Sequence, residues 1–280
     1  MPPRSTRQDG APEPTRRQAA PPAQPPNGRL EAELIAFEAA ERERLGLPPA
    51  ITPQWTETVH TRFTRDQRER TTILLSGLTD AHEVFLVAAL NGLGYRARRL
   101  DCPDNEAMWV GKEFGSRGMC NPSYFTVGNL LKFLRHLHEE QGLSKPEIME
   151  RYLMLTVNGC GPCRFGMYLT EYRKALRDSG FEGFRVLLLG QTLINQDLGE
   201  GGGLEINTRV IIATLKSMML GDIINLLAYR IRPYETVPGA TDAAMESCKT
   251  RIALALERRA WLPPVLWRCR RELARIPVER

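Results

Sequence analysis

The 280-residue sequence has no second C-x-x-C pair, no histidine after Cys163 and only four histidines in all. Each lack weighs against a reading. A structural zinc usually needs two close-spaced ligand couples, and His60, His82, His136 and His138 do not complete one; His136 and His138 read as a solvated helix face. A c-type haem needs His after the second cysteine, where Arg164 stands. No proline occurs between Pro162 and Pro233, so the proline loop that faces a thioredoxin dithiol has no counterpart. No apolar run reads as the roughly 20 residues of a membrane span, and the N-terminus has no apolar signal region. Walker, dinucleotide, nucleophile-elbow, metalloprotease and kinase signatures are missing as well. The net charge is +5, but much of the arginine excess lies in two tails, so no nucleic-acid partner follows. The expectation is a cytoplasmic chain that engages neither membrane nor nucleic acid.

What is present alternates. Residues 1–28 are rich in proline and arginine and poor in large apolar side chains, which predicts disorder. A helix and linker occupy 29–64. From 65 to 200, short β-branched and apolar runs alternate with helical patterns. "TTILLSG", "YRARRLD", "RYLMLTVNG" and "FRVLLLG" read as strands. "DAHEVFLVAALNGLG", with Asp80 as its cap, reads as a helix, as do "PSYFTVGNLLKFLRHLHEEQ" and "RFGMYLTEYRKALRDSG". Such alternation predicts an α/β fold: an open, mostly parallel, Rossmann- or flavodoxin-like sheet with helices on both faces. The glycine-rich stretch at 199–203 reads as a flexible connection. Residues 201–280 read as a helical segment, with one long apolar helix near 207–232 and a break at Pro263-Pro264.

Six cysteines occur, and in an intracellular chain of this length they read as free thiols or metal ligands before disulfides. Ligands of open parallel sheets bind beyond the carboxyl ends of the strands. Cys102, Cys120, Cys160 and Cys163 all follow strands or precede helices there. Cys248 and Cys269 fall in helices and read as buried small side chains. Asp104 and Glu106 read as a helix start rather than an acid–base pair. Three chemistries stay open for the thiols. A dithiol oxidoreductase and a zinc site are two; an iron–sulfur cluster, whose negative charge suits a helix N-terminus, is the third and fits separate loops best.

"GMCNPSYFTVGNLLKFL" and "CGPCRFGMYLTEYRKAL" together resemble the 2-hydroxyacyl-CoA dehydratase family, which includes the benzoyl-CoA reductase subunits. The nearest likeness is to its branch related to CoA-enzyme activases. The likeness spans about residues 70–230, with Cys120-Asn121-Pro122 and Gly128 in the first motif and Gly161 to Tyr168 in the second. It implies a [4Fe–4S] or double-cubane cluster and an ATP-hydrolysing, actin-like activator as electron donor. It also implies an acyl-CoA substrate and a lyase or reductase component. By position it makes Cys120 and Cys163 cluster ligands; Cys160 and Cys102 join them on spacing. Arg164 is expected either to open its helix or to sit beside the cluster or substrate. Family members carry a second α/β lobe with a further ligand, so the implied partners are such a lobe or subunit, in an oligomer. An electron-relay or assembly subunit without catalysis is the alternative.

Overall fold

The computed structural model describes residues 28–47, 59–157, 159, 162–189, 197–198 and 202–279. The chain divides into two units, one up to Glu57 and one from Thr58 onward. The first contains α1 (Gly28–Arg44), a helix held by short-range pairs of Arg42 with Glu38 and Arg44 with Glu41.

The second unit is built on a parallel sheet. In chain order it contains β1 (Thr72–Leu75), α2 (Asp80–Gly92), β2 (Arg96–Arg99), α3 (Asn105–Phe114), α4 (Asn121–Glu139) and α5 (Lys145–Arg151). β3 (Tyr152–Val157), α6 (Tyr168–Asp178) and β4 (Val186–Leu189) complete the lobe. The strand order is β2-β1-β3-β4, all parallel. The chain leaves β1 for β2 on one side, then crosses back over β1 to reach β3. The reversal opens a crevice between the carboxyl ends of β1 and β3, where ligands of such sheets bind. The expected fold class is what the molecule has.

Side-chain alternation sets the layers. Leu74, Met154 and Val186 turn to one face and join Leu130, Leu131, Leu134 and Tyr172 from α4 and α6. Ile73, Leu75, Leu153, Leu155 and Leu187 turn to the other and meet Leu86 and Leu90 of α2. β2 is an edge strand whose sequence, Arg96-Ala97-Arg98-Arg99, is largely exposed. Edge strands carry charge because unpaired backbone groups would otherwise template another strand.

The α3–α4 pair is unusually intimate. A Cβ on Gly128 would lie 1.7 Å from the Ala107 carbonyl oxygen, and one on Gly111 would lie 1.9 Å from that of Tyr124. Only glycine lets these backbones touch. Gly128, read from the sequence as part of a ligand motif, thus has a packing reason to be glycine.

Two expectations need correction. The α2 cap is Thr79, and Asp80 is the first helical residue, where its carboxylate instead pairs with Arg99 and Lys249. The described end of the glycine stretch is pinned rather than loose. Gly203 donates its N–H to the Phe63 carbonyl at 2.7 Å, and Arg68 holds the Gly202 carbonyl at 2.9 Å.

The segment after 201 is mainly helical, as expected, with a short ladder before its first helix. β5 (Asp197–Leu198) pairs antiparallel with β6 (Leu204–Glu205), and Leu204, Ile206 and Val210 fill the α2 face of the sheet. α7 (Thr208–Ile231), α8 (Ala240–Glu257) and α9 (Pro263–Leu273) then follow. They build a separate core with Ala81 and Phe85 of α2. Pro263 and Pro264 open α9, the position where a missing N–H costs nothing. Cys248 and Cys269 are buried there, as read from the sequence, and share a hydrogen bond that raises the first thiol's pKa and lowers the second's. Against expectation, Thr208–Tyr234 is long and apolar enough to cross a membrane, its apolar window having a mean hydropathy of 1.7. Its inner stripe packs on α2 and α8, and 28% of the apolar window is buried.

Candidate functional site

Cys120 is the N-cap of α4, in extended backbone (φ −75, ψ 153) with Pro122 in the first turn. Its carbonyl takes the Ser123 N–H at 3.0 Å. Cys163 sits in the equivalent place on the far side of β3, capping a short 3-10 turn, Arg164–Met167, that runs into α6. Both thiols therefore stand at helix N-termini beyond the carboxyl edge of the sheet.

Tyr168 contacts the first of them and lies five residues beyond the second. The Tyr168 hydroxyl and the Cys120 sulfur share a hydrogen bond at 3.3 Å, and the tyrosine ring packs edge-on against Phe165, centroids 5.1 Å apart. The hydrogen bond from Tyr168 lowers the Cys120 thiol pKa. Burial opposes this, and the Ser123 N–H and the Arg164 charge reinforce it. The tyrosine moves the opposite way, far above its ordinary range, because of burial and then the nearby Cys120 and Cys163 sulfurs. A thiol held toward its anionic form is the form that ligates metals and attacks electrophiles.

The second motif does more than carry Cys163. Arg164 donates to the Gly118 carbonyl. Glu171 accepts the Ser116 N–H at 2.8 Å, and Lys174 donates to the Phe114 carbonyl at 2.8 Å. With Tyr168 on Cys120, four side chains spaced four, three and three apart grip the α3–α4 loop from Phe114 to Cys120. The spacing is one face of a helix, so one stripe of the motif clamps the whole loop. Tyr124 closes it from within, taking the Met119 N–H at 3.1 Å and donating to the Ser116 carbonyl at 3.0 Å. Sequence reasoning named Arg164 but missed Tyr168, Glu171 and Lys174. Their polar character at the start of an otherwise amphipathic helix was the only available signal.

Behind the thiols lies the crevice between β1 and β3. Gly77, at the end of β1, faces the Thr126 methyl, and Thr126 hydrogen-bonds the buried Tyr172, whose pKa burial pushes up to about 12. Glu83 is buried nearby. Its carboxyl takes the Leu78 N–H at 3.0 Å, and desolvation raises its pKa despite that bond.

Cys102 stands apart in the described contacts. It is exposed, and its neighbour Asp101 accepts from Asn129. Asn129 lies nine residues beyond Cys120, about 13 Å along the α4 axis. Asp104 caps α3 by accepting the Ala107 N–H, and it and Glu106 pair with Lys132. His136 and His138 are exposed. Cys160 lies outside the described residues. Among the described residues no three His, Cys, Asp or Glu side chains gather closely enough to hold a metal.

No protein-family model, curated protein or solved structure matches this chain.

Proposed function

We propose that the rim around Tyr168 holds an iron–sulfur cluster through Cys120, Cys163 and Cys160. The chain would then be the cluster-carrying component of a low-potential redox system like that of the 2-hydroxyacyl-CoA dehydratases. The observation that carries this reading is that Cys120 and Tyr168 are hydrogen-bonded at the rim where Cys163 caps the turn leading into α6.

The donor chemistry agrees with such a group. Thiolates are the ligands that iron–sulfur clusters take, and a lowered thiol pKa reduces the cost of deprotonating Cys120. Two helix N-termini and the Arg164 guanidinium bring positive potential to the same rim, which suits an anionic cluster. When bound, the cluster would supply single low-potential electrons. Tyr168 keeps a hydroxyl hydrogen at the Cys120 sulfur, and Arg164, Glu171 and Lys174 hold the loop that presents it. The reducing cytoplasm is the matching compartment, since free thiols persist there. An ATP-hydrolysing activator would deliver electrons, and an acyl-CoA would be the substrate of the complete system.

Anaerobic iron and acid-labile sulfide determination on reconstituted protein tests the reading. Iron and sulfide bound in equal amounts are expected. Protein that stays free of iron, alone and with a second α/β subunit, rejects it. Turnover of a 2-hydroxyacyl-CoA with activator, ATP and reductant then separates a catalytic component from an electron relay.

The lowered Cys120 thiol also favours a second reading, thiol–disulfide exchange. That reading requires a reversible disulfide in iron-free protein, read by mass and by titration against glutathione.

A further inference from the structure

We propose that the outer face of α7 is the interface of a homodimer, in which two copies pack α7 against α7 antiparallel about a two-fold axis at Met219. This rests on a part of the molecule separate from the cysteine rim and does not depend on the function proposed for it.

The starting observation is an apolar helix face that is exposed. The inner stripe of α7, including Val210, Leu220, Ile224 and Ala228, is buried. On the opposite side Ile212, Leu215, Met219, Ile223 and Leu226 are 46, 58, 64, 49 and 50% exposed. Tyr229, at 66%, continues the stripe. Together these side chains offer on the order of 700 Å² of mostly apolar surface, close to the ~800 Å² each partner contributes to a standard interface. Contiguous apolar patches of that size on soluble proteins mark interaction sites.

The stripe is also its own complement. The gaps between Ile212, Leu215, Met219, Ile223 and Leu226 run three, four, four, three, the same in both directions from Met219. A two-fold there sets Met219 on its mate, Leu215 on Ile223 and Ile212 on Leu226, each pair twice. Leu215, Met219 and Ile223 form an i±4 ridge, the row that interdigitates in the commonest helix–helix packing. An isologous interface demands this self-complementarity of shape.

A lipid bilayer fits the face less well. Lys216 and Asp222 lie midway along the helix, where a membrane span would bury both charges at high cost. An interfacial helix carries a solvated basic face opposite its apolar one, whereas here the opposite face is protein core.

Sedimentation of the full purified chain at micromolar concentration tests the proposal, and a dimer is expected. Met219→Lys should give monomer with unchanged circular dichroism and melting, because the side chain is exposed. Met219→Cys should crosslink to itself under mild oxidation, with the 219–219 peptide identified by mass. Leu226→Cys should not, being about 10 Å from the axis along each helix. Monomeric wild-type protein, a dimer that Met219→Lys leaves intact, self-crosslinking at 226 but not 219, or a monomer that floats with anionic phosphatidylserine vesicles would each overturn it.

Discussion

The hydroxyl of Tyr168 lies 3.3 Å from the sulfur of Cys120, bridging the first residue of α6 and the cap of α4. Because the bond favours the thiolate, Tyr168→Phe should move the Cys120 pKa upward. The expected result is a several-fold slower reaction of Cys120 with iodoacetamide at neutral pH, with the midpoint of the pH–rate profile displaced to higher pH. The stability consequence has the same sign. A depressed thiol pKa stabilises the fold above the ordinary value of 9.0, and that contribution disappears as pH falls through the lowered one. An unchanged profile in the phenylalanine variant would show that the hydroxyl does not govern the thiol.

Cys163→Ser and Cys120→Ser should each abolish the broad iron–sulfur absorbance, at about 400 nm, of reconstituted protein while circular dichroism stays as in the wild type. Cys269→Ser should keep it, since that thiol is buried among α7, α8 and α9. Retention of full cluster content in both Cys120 and Cys163 variants contradicts the ligand assignment.

Gly128→Ala should be among the most damaging single-atom changes in the chain, because the added methyl meets the Ala107 carbonyl with no room to shift. A loss on the order of 3 kcal/mol in urea unfolding is expected, at or beyond the usual range for overpacking. Gly142→Ala is the control. It has φ +70 and open space around it, so only backbone strain of about 1 kcal/mol applies.

Asp80→Asn should reveal a carboxylate that is stabilised in the fold. Burial raises its pKa, but hydrogen bonds from Lys249 and Arg99 outweigh that and leave it below the ordinary 3.8. Its contribution is therefore present above about pH 4 and lost as pH falls through the lowered value. Half-exposure limits it to about 1 kcal/mol or less. Urea melts at pH 7 should separate variant from wild type by that amount, and melts at pH 2 should bring them together.

The sheet and its helices were legible because their signals are local. Alternating strands and a 3.6-residue stripe of Val127, Leu130, Leu131, Leu134 and Leu137 need no tertiary context, and all five are buried. The burial of Cys248 and Cys269 followed from the same patterning. Glu171 and Lys174 could not be read this way. Their partners are the backbone N–H of Ser116 and the carbonyl of Phe114, groups that every residue has and that only folding selects. The reason for Gly128 was hidden for a like cause, since the Ala107 carbonyl that excludes any other residue comes from another helix. At Asp80 a local rule pointed to a cap. The distant Lys249 and Arg99 give the carboxylate another use, and Thr79 takes the cap position without a side-chain bond.

The arginines along β2 bear on how copies of this molecule can come together. A strand joining the sheet at that border would have to thread between Arg96, whose guanidinium already bonds the Glu69 carbonyl, and Arg98, stacked on Phe133. Ladder growth is blocked by cations already in use. Chains crowded against β2 therefore find no open backbone edge along which a fibre could grow.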